Sequence, residues 1–267
     1  MPILHLLLVA IIQGLTEFLP VSSSGHLILL PGLTGMADQG QLIDVAVHVG
    51  TLGAVVIYFW SDVKTGLLGL PRLIAGHVDT PGAKLALALI VATIPAILCG
   101  AILHFTGLSD ALRSVAVIGW TMLIFGVVLY WADQTGATTK SGNAWPLRDA
   151  LIMGLWQAVS LIPGTSRSGI TITGARRLGY GREDAARLAM LMSIPTILAS
   201  GILLGAEVAL DADTAAIRDC AIAAGLSFFS ALLALALMMR LLRSISFTPY
   251  VIYRIALGIA LLIYAYA

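Results

Sequence analysis

A polar stretch follows an apolar N-terminal run and reads TEFLPVSSSGHL over residues 16–27. Its chemically active side chains are a carboxylate, three hydroxyls and an imidazole: Glu17, Ser22, Ser23, Ser24 and His26. A serine becomes a nucleophile when a base lies within hydrogen-bond reach, and histidine is the usual base near neutral pH. Gln13 lies four residues before Glu17, so the two share one helix face. The stretch predicts nucleophilic and acid–base chemistry; the alternative is a serine-rich turn whose Glu17 and His26 only satisfy backbone groups.

A second polar stretch, PGTSRSGITIT, occupies residues 163–173. Arg167 carries a fixed cation whose planar fork matches phosphate oxygens bidentately. Glycine lets backbone amides approach an anion, and hydroxyls add donors. The hydroxyls here are those of Ser166, Ser168 and Thr171. The stretch predicts an anion cradle; the alternative assigns Arg167 to a basic cluster on the cytoplasmic side.

The two stretches align without a gap when the sequence is shifted by 144 positions. The aligned identities are Gln13 with Gln157, Ser22 with Ser166, Ser24 with Ser168, and Gly25 with Gly169. The chemistry differs at three positions: Glu17 lies over Leu161, Ser23 over Arg167, and His26 over Ile170. One half would supply acid, base and nucleophile, and the other the cation. Together they predict phosphoryl transfer or phosphate hydrolysis on a lipid phosphate or diphosphate.

The rest of the chain must position these stretches in a membrane. It is 59% hydrophobic and 11% charged, whereas a soluble domain averages about 25% charged residues. A spanning helix needs about 20 apolar residues, and six runs meet or approach that length: 44–60, 85–105, 112–131, 187–206, 216–239 and 249–266. His48, inside the first run, is expected to be a packed helix histidine. A net charge of +1 gives no reason to expect a nucleic-acid partner.

Two further apolar stretches, 3–12 and 150–163, are too short to span. Polar backbone at membrane depth is tolerated only inside protein or along a cavity. Residues 1–33 and 150–175 are therefore predicted to be re-entrant hairpins, each followed by three spans. An odd number of spans inverts the second copy, and inverted repeats place a site at their interface. The predicted fold is an all-α integral membrane protein: one domain of six transmembrane helices and two re-entrant hairpins, in inverted repeats 1–132 and 149–267.

The basic residues set the expected orientation. Most of the 15 Lys and Arg residues lie in four loops that the positive-inside rule places in the cytoplasm: 61–84, 132–149, 176–187 and 240–248. Both termini would then face outward. The N-terminal run has no preceding Lys or Arg, so we do not expect a removable signal peptide. Cys99 and Cys220 lie in apolar runs and are expected to be inert packing residues.

Four stretches resemble the undecaprenyl-diphosphate phosphatase family, also called the bacitracin-resistance family. They are QGLTEFLPVSSSGHL (13–27), PGTSRSGITIT (163–173), LMSIP (191–195) and ISFTPYVIYR (245–254). The similarity covers nearly the whole chain. It implies hydrolysis of undecaprenyl diphosphate to the monophosphate, which recycles the lipid carrier for cell-wall synthesis. It also implies dependence on a divalent metal, Mg²⁺ or Ca²⁺, and a site opening to the outer face of the bacterial plasma membrane.

The resemblance also implies roles for individual residues. The acidic motif of the family appears in its Gln variant, Gln13 to Glu17, so Glu17 is its only carboxylate. In our hypothesis Ser23 attacks the terminal phosphorus, His26 shuttles the proton, and Glu17 orients His26 or holds the metal, directly or through water. Substrate binding is assigned to Arg167, Ser166, Ser168, Thr171, Ser22, Ser24 and Gln13. A rival version makes His26 the nucleophile.

Other functions remain as alternatives at this point. Inverted repeats with broken helices are also transporter architecture, so a polyprenyl-phosphate flippase is the second hypothesis. A flippase needs binding but no nucleophile, which favours the phosphatase. A purely structural protein would not need Glu17, His26 and Arg167 at membrane depth. Arg254, inside the last apolar run, has no assigned role, and the sequence is compatible with either a monomer or a homodimer.

Overall fold

The computed structural model describes residues 2–35, 39–108, 112, 114–208 and 214–267. Within these ranges every regular element is an α-helix, and one isolated bridge pairs Lys140 with Tyr180. Positions 1 and 113, which belong to the predicted first hairpin and third span, lie outside the described residues. The predicted all-α class is confirmed for the described part of the chain.

The described helices are, in chain order, α1 Ile3–Phe18, α2 Ser23–Leu27, α3 Leu29–Thr34, α4 Gln41–Tyr58, α5 Trp60–Ile74, α6 Pro81–Thr106, α7 Val115–Thr135, α8 Leu147–Val159, α9 Arg167–Leu178, α10 Arg182–Val208, α11 Thr214–Leu241 and α12 Thr248–Tyr266. Six of them are long and apolar enough to cross a membrane: α4, α6, α7, α10, α11 and α12. They are the six predicted spans, with ends that differ by a few residues. The protein is a multi-pass membrane protein.

Helix α5 lies inside a stretch that the sequence analysis placed in a loop. It begins immediately after Phe59, which caps α4, and it packs against α6. Gly69 makes this contact, since a Cβ on Gly69 would overlap the backbone of Gly82 at the start of α6. Leu68 and Ile74 are exposed. The basic residues of this stretch therefore lie on or beside a helix instead of a flexible connection.

The two short apolar stretches form α1 and α8, and each packs against a span from the opposite half of the chain. Helix α1 packs against α11, and α8 packs against α6. Both contacts use glycine: a Cβ on Gly14 would overlap Ser230 of α11, and a Cβ on Gly154 would overlap the Ala92 carbonyl of α6. Small residues permit such close helix approach within a membrane. The two halves are thereby interlocked.

Helix α9 is the most enclosed short helix, with residues 168–176 all buried. It contacts α7, α8 and α10. At its C-terminal end the Arg176 guanidinium donates to the carbonyls of Asp133, Gly136 and Tyr180 at 2.6–3.0 Å. Nearby, Asp149 at the start of α8 accepts from Lys140 at 2.6 Å and from the Tyr180 hydroxyl at 2.7 Å. Burial and the Asp149 carboxylate raise the pKa of Tyr180. These bonds fix the α9 axis, so its N-terminus is rigidly placed.

Candidate active site

The two polar stretches form turns with the same unusual backbone. Ser22, before α2, has φ 71° and ψ 98°, and Ser166, before α9, has φ 69° and ψ 111°. They are the only non-glycine residues with positive φ in the described ranges. Such a conformation costs about 1–3 kcal/mol and persists only when its surroundings impose it. In each turn the serine hydroxyl lies 3.1 Å from that of the serine two residues later, Ser24 or Ser168.

The turns bind each other reciprocally. The hydroxyl oxygen of Ser24, in the first turn, accepts from the Gly164 N–H of the second turn at 3.3 Å. Conversely, Ser168 in the second turn donates to the Leu19 carbonyl of the first at 3.0 Å. Two segments that are about 140 residues apart in sequence thus form one polar unit.

Arg254 of α12 lies beneath this unit and is fully buried. Its Nη2 donates to the carbonyls of Gly164 at 3.1 Å and Thr165 at 2.8 Å, and its Nη1 lies 3.5 Å from the Pro20 carbonyl. Carbonyls from both turns therefore meet on one guanidinium. This gives a place to the residue that the sequence left without a role: Arg254 holds the two turns together.

Glu17 joins the reactive groups of the two turns. Its Oε1 accepts from Arg167 Nη2 at 2.6 Å. Its Oε2 accepts from the Ser23 hydroxyl at 3.0 Å and from Gln13 Nε2 at 2.9 Å. Because Gln13 and Glu17 are one turn apart on α1, the amide sets the rotamer of the carboxylate. The Ser23 hydroxyl, a candidate nucleophile, and the Arg167 guanidinium are therefore bonded to different oxygens of one carboxylate.

The electrostatics of this group suit an anion. The Glu17 and Arg167 side chains are only 8% and 14% exposed, so their ion pair is shielded from solvent. Arg167 is also the first residue of α9, where the helix dipole favours negative charge. Its Nη1 is buried and has no hydrogen-bond partner within the described residues. A buried unpaired donor is costly, so the geometry calls for an acceptor on Arg167.

A cavity of about 260 Å³ opens beside these groups. Of the ten residues predicted to form the site, it is lined by Glu17, Ser22, Ser23, Ser24, Ser166 and Arg167. A larger cleft, of about 500 Å³, lies at the other end of α9 around Asp133, Arg176 and Arg182. In the larger cleft Asp133 is paired with both of these arginines, 2.7 Å from Arg182 and 3.4 Å from Arg176. We therefore place the candidate site in the smaller cavity.

Four predicted site residues do not line this cavity. Gln13 lies behind Glu17, and Ser168 is bonded to the first turn. Thr171 donates to the carbonyls of its own helix, at Arg167 and Ser168. Their assignments to substrate binding stay predictions.

His26 is the fourth of these residues. Its Nδ1 lies 2.7 Å from the Ser22 carbonyl, and its Nε2 lies 2.7 Å from the Tyr253 hydroxyl. The two rings are stacked, with centroids 5.5 Å apart. The Ser23 hydroxyl is bonded to Glu17, so the carboxylate is its nearest base in this structure.

The cavity also includes residues that the sequence analysis did not assign to the site: His48, Ser160, Leu161, Gly164, Thr196, Ile197 and Ser200. His48 was expected to be a packed helix histidine, yet its side chain is 38% exposed on the cavity wall, with Nε2 3.8 Å from Glu17 Oε2. An ionisable residue inside a span is a functional candidate by default, and that signal was present in the sequence. Thr196 and Ser200 are one turn apart on α10, so they form a small polar patch on one face of a span.

The donor set does not fit a metal centre built by the protein alone. Within the described residues there is no cluster of three or more His, Cys, Asp or Glu side chains. Among the residues that the structure describes, Glu17 is the only carboxylate that lines the cavity, and both of its oxygens already accept hydrogen bonds. The metal dependence implied by the sequence resemblance stays a prediction.

The fold and the cavity define a class: a multi-pass membrane protein whose candidate site, where the turns before α2 and α9 meet, is suited to an anion such as a phosphate. Comparison with known proteins then gives the family. The model of the family described as bacitracin resistance protein BacA matches residues 6–260, and the chain belongs to that family.

Curated relatives match over their full length. A protein from Ruegeria pomeroyi is 73% identical and one from Dinoroseobacter shibae is 71% identical, each over 100% of both chains. A protein from Maricaulis maris is 46% identical over 99% of both. All three are named undecaprenyl-diphosphatase.

Proposed function

We propose that this protein hydrolyses undecaprenyl diphosphate to undecaprenyl phosphate and inorganic phosphate. The observation that carries the proposal is the Glu17 bridge: one carboxylate holds the Ser23 hydroxyl and the Arg167 guanidinium on the same cavity, with Arg167 Nη1 still lacking an acceptor. A terminal phosphate bound by Arg167 would lie beside the serine, because Glu17 bonds both side chains. The names of the full-length relatives support the same reaction.

The mechanism follows from these positions. Ser23 Oγ attacks the terminal phosphorus while Glu17 Oε2, 3.0 Å away, accepts its proton. The bond from phosphorus to the bridging oxygen breaks, and undecaprenyl phosphate leaves with the electron pair. The leaving phosphate also takes the proton from Glu17, so the carboxylate is ionised again before the second step. Arg167 and the α9 N-terminus stabilise the charge on the equatorial oxygens, the main catalytic contribution in phosphoryl transfer. Water then attacks the phosphoserine, which releases phosphate and restores the Ser23 hydroxyl.

His26 has a different role in this mechanism from the proton shuttle that the sequence predicted. Its two ring nitrogens join the first turn to Tyr253 of α12, so it would stiffen the turn that presents Ser23. The rival mechanism, with His26 as nucleophile, would require its Nε2 to leave Tyr253 and reach the cavity. A His26→Gln variant separates the two versions, because glutamine retains hydrogen bonding but cannot form a phosphohistidine.

We also propose that the chain is an inverted repeat whose halves, 1–132 and 149–267, each begin with a re-entrant hairpin. The matching φ and ψ of Ser22 and Ser166 support it. The reciprocal packing of each hairpin on the middle span of the other half, α1 on α11 and α8 on α6, is the pattern that a two-fold relation produces. Helix α1 has 16 residues, about 24 Å, and so falls short of the ~30 Å hydrocarbon core.

The proposed site opens to the outer face of the bacterial plasma membrane. The basic residues Arg176, Arg177 and Arg182 gather at or just beyond the C-terminal end of α9, whereas the cavity lies at its N-terminal end. If the basic end is cytoplasmic, the cavity is displaced toward the outside. The prenyl chain would lie in lipid beside α10, where Leu198 and Ile202 are exposed next to Ile197 of the cavity wall.

The test is phosphate release from undecaprenyl diphosphate by the purified protein in detergent, with and without EDTA. Wild type, Ser23→Ala and Arg167→Ala are compared with Ser244→Ala, which removes an exposed hydroxyl just after α11 that donates to the Leu241 carbonyl. We expect release by wild type and the control, and loss in the other two. Tight lipid binding without release by wild type would instead favour the flippase. Loss of release in EDTA would establish the metal requirement.

A further inference from the structure

Two histidines near the first turn have the same hydrogen bond at Nδ1 and different surroundings at Nε2. In each, Nδ1 lies 2.7 Å from the backbone carbonyl four residues earlier: Ser22 for His26, and Asp44 for His48. On the other side, His26 Nε2 is bonded to Tyr253, whereas His48 Nε2 faces the cavity. Only one of the two imidazoles presents a ring nitrogen to the cavity.

The anchoring fixes the tautomer of neutral His48. A carbonyl oxygen can only accept, so Nδ1 must carry the ring proton and Nε2 is left as an acceptor. Nε2 lies 3.8 Å from Glu17 Oε2, which is too long for a direct hydrogen bond. Two acceptors at this separation can instead bind the two protons of a single water molecule.

The proposed reaction makes room for that water at the right stage. At rest, Oε2 accepts from Gln13 and from the Ser23 hydroxyl. Once Ser23 carries the phosphoryl group it has no proton to donate, so Oε2 loses one of its two donors. The acceptor position released lies on the carboxylate oxygen that is nearest to both the phosphoserine and His48.

We propose that His48 Nε2 and Glu17 Oε2 together hold the water that hydrolyses the phosphoserine, an inference that rests on the proposed function. The water donates one hydrogen bond to each acceptor, which directs its oxygen lone pair at phosphorus. As the new P–O bond forms, Glu17 takes the proton and the P–Oγ bond breaks. The electron pair and a proton return to Ser23, and phosphate departs. His48 accepts a hydrogen bond throughout and takes no proton from the water.

The test separates the two chemical steps in His48→Leu and His48→Gln. Leucine has a similar size and no acceptor, whereas the glutamine amide oxygen can accept in place of Nε2. The matched control is His104→Leu, an exposed histidine in the last turn of α6. Each protein is assayed for kcat and KM. Each is also acid-quenched after mixing with substrate labelled in the terminal phosphate, to measure protein-bound label on Ser23.

We expect His48→Leu to lower kcat by roughly tenfold, the size of one hydrogen bond to a reacting group. Because only the hydrolysis step is slowed, KM should fall together with kcat, so that kcat/KM stays within about twofold. The labelled phosphoenzyme should accumulate above its wild-type level. His48→Gln should keep kcat within about threefold of wild type, as should His104→Leu, with no accumulation.

Several results would overturn the inference. Wild-type turnover in His48→Leu would mean that His48 only packs, and a raised KM at unchanged kcat would make it a substrate contact. If His48→Leu turned over slowly without accumulating phosphoenzyme, His48 would act before the hydrolysis step. If His48→Gln also lost turnover, the imidazole ring itself would be required. Failure of the proposed function is distinct, since wild type would then release no phosphate. If His48→Leu melts below the assay temperature, His48→Met replaces it with the same expectations.

Discussion

The two hairpin turns have nearly the same backbone and carry opposite chemistry. Ser22 and Ser166 share their φ and ψ, and each is followed at the same spacing by a hydroxyl partner. Between the paired serines, however, the first turn has the Ser23 hydroxyl and the second has the Arg167 guanidinium. The backbone that aims a nucleophile into the cavity therefore also aims a cation into it from the other side.

The hairpins differ as strongly in how they are anchored. Behind the second turn, α9 is buried along most of its length, and α8 has Asp149 in its first turn, which Lys140 and Tyr180 bind. Behind the first turn, α2 has only five residues. The position of α1 that aligns with Asp149 is His5, whose buried Nε2 has no partner within the described residues. In the proposed mechanism the second hairpin is thus the fixed scaffold, and the first carries the groups that change protonation.

Glu17→Gln should produce the largest effect, because Glu17 bonds both the Ser23 hydroxyl of the first turn and the Arg167 guanidinium of the second. The amide can still bond Ser23 or Arg167 but cannot take a proton. We expect kcat to fall by roughly 10²- to 10⁴-fold, the range for a general base. Phosphate release measured over substrate concentration checks this.

Glu183→Gln is the matched control, since Glu183 is exposed and lies 3.4 Å from an exposed Arg243. It should keep its activity. If Glu17→Gln retained more than a tenth of wild-type kcat, the carboxylate would be a structural link between the turns, and another group would have to take the Ser23 proton.

Arg254→Met removes the guanidinium that gathers carbonyls from both turns. Methionine fills much of the volume, yet it leaves the Gly164 and Thr165 carbonyls without their donor. A hydrogen bond to a charged group contributes about 1.5–3 kcal/mol, so we expect about 3 kcal/mol less stability and a reduced kcat from a misplaced Arg167. Unfolding in detergent and phosphate release measure the two effects, with Arg240→Met, at an exposed position on α11, as the control. An unchanged melting temperature would show that the turns hold each other without Arg254.

Asp149→Asn tests the stronger anchoring of the second hairpin. The asparagine keeps an acceptor for Tyr180 but loses the charge that Lys140 faces. We expect a loss of about 2 kcal/mol, below the cost of breaking a fully buried pair because Lys140 is 40% exposed.

The counterpart in the first hairpin is His5→Leu. Since the His5 Nε2 is buried without a partner in the described structure, replacing the ring should cost less than about 1 kcal/mol or stabilise the fold. Thermal unfolding compares the two variants. Equal losses of stability in the two variants would mean that the two hairpins are anchored equally strongly.

Much of this arrangement was predictable from the sequence, for physical reasons. Hydrophobic length specifies a membrane span almost by itself, so all six spans were found. The internal alignment put Ser23 opposite Arg167, and two copies of one turn can meet only at the interface between the halves. The proximity of Glu17, Ser23 and Arg167 could thus be predicted without any knowledge of the angles between helices.

The directions of side chains were not predictable in the same way. His26 adjoins three serines in sequence, yet a short helix turns its ring toward Tyr253, which is 227 residues away. His48 appeared to be an ordinary histidine of an apolar span, and only the packing of α4 beside α1 brings it to Glu17. The sequence analysis did not predict helix α5, because its mixture of small, polar and apolar residues is also typical of a loop. The reason for its glycines is seen only in the structure, where α6 packs against them.

Ser22→Ala and Ser166→Ala give the smallest expected difference and the sharpest test of the likeness between the turns. Both substitutions place alanine at a positive φ, so backbone strain cancels between them. Only Ser166 caps its helix, with Oγ accepting from the Gly169 N–H at 3.2 Å, whereas Ser22 makes no such bond. Ser166→Ala should therefore lower the free energy of unfolding by about 1 kcal/mol more than Ser22→Ala. Equal losses in denaturant titrations would mean that α9 is held by its burial, and that the cap contributes only to the shape of the turn.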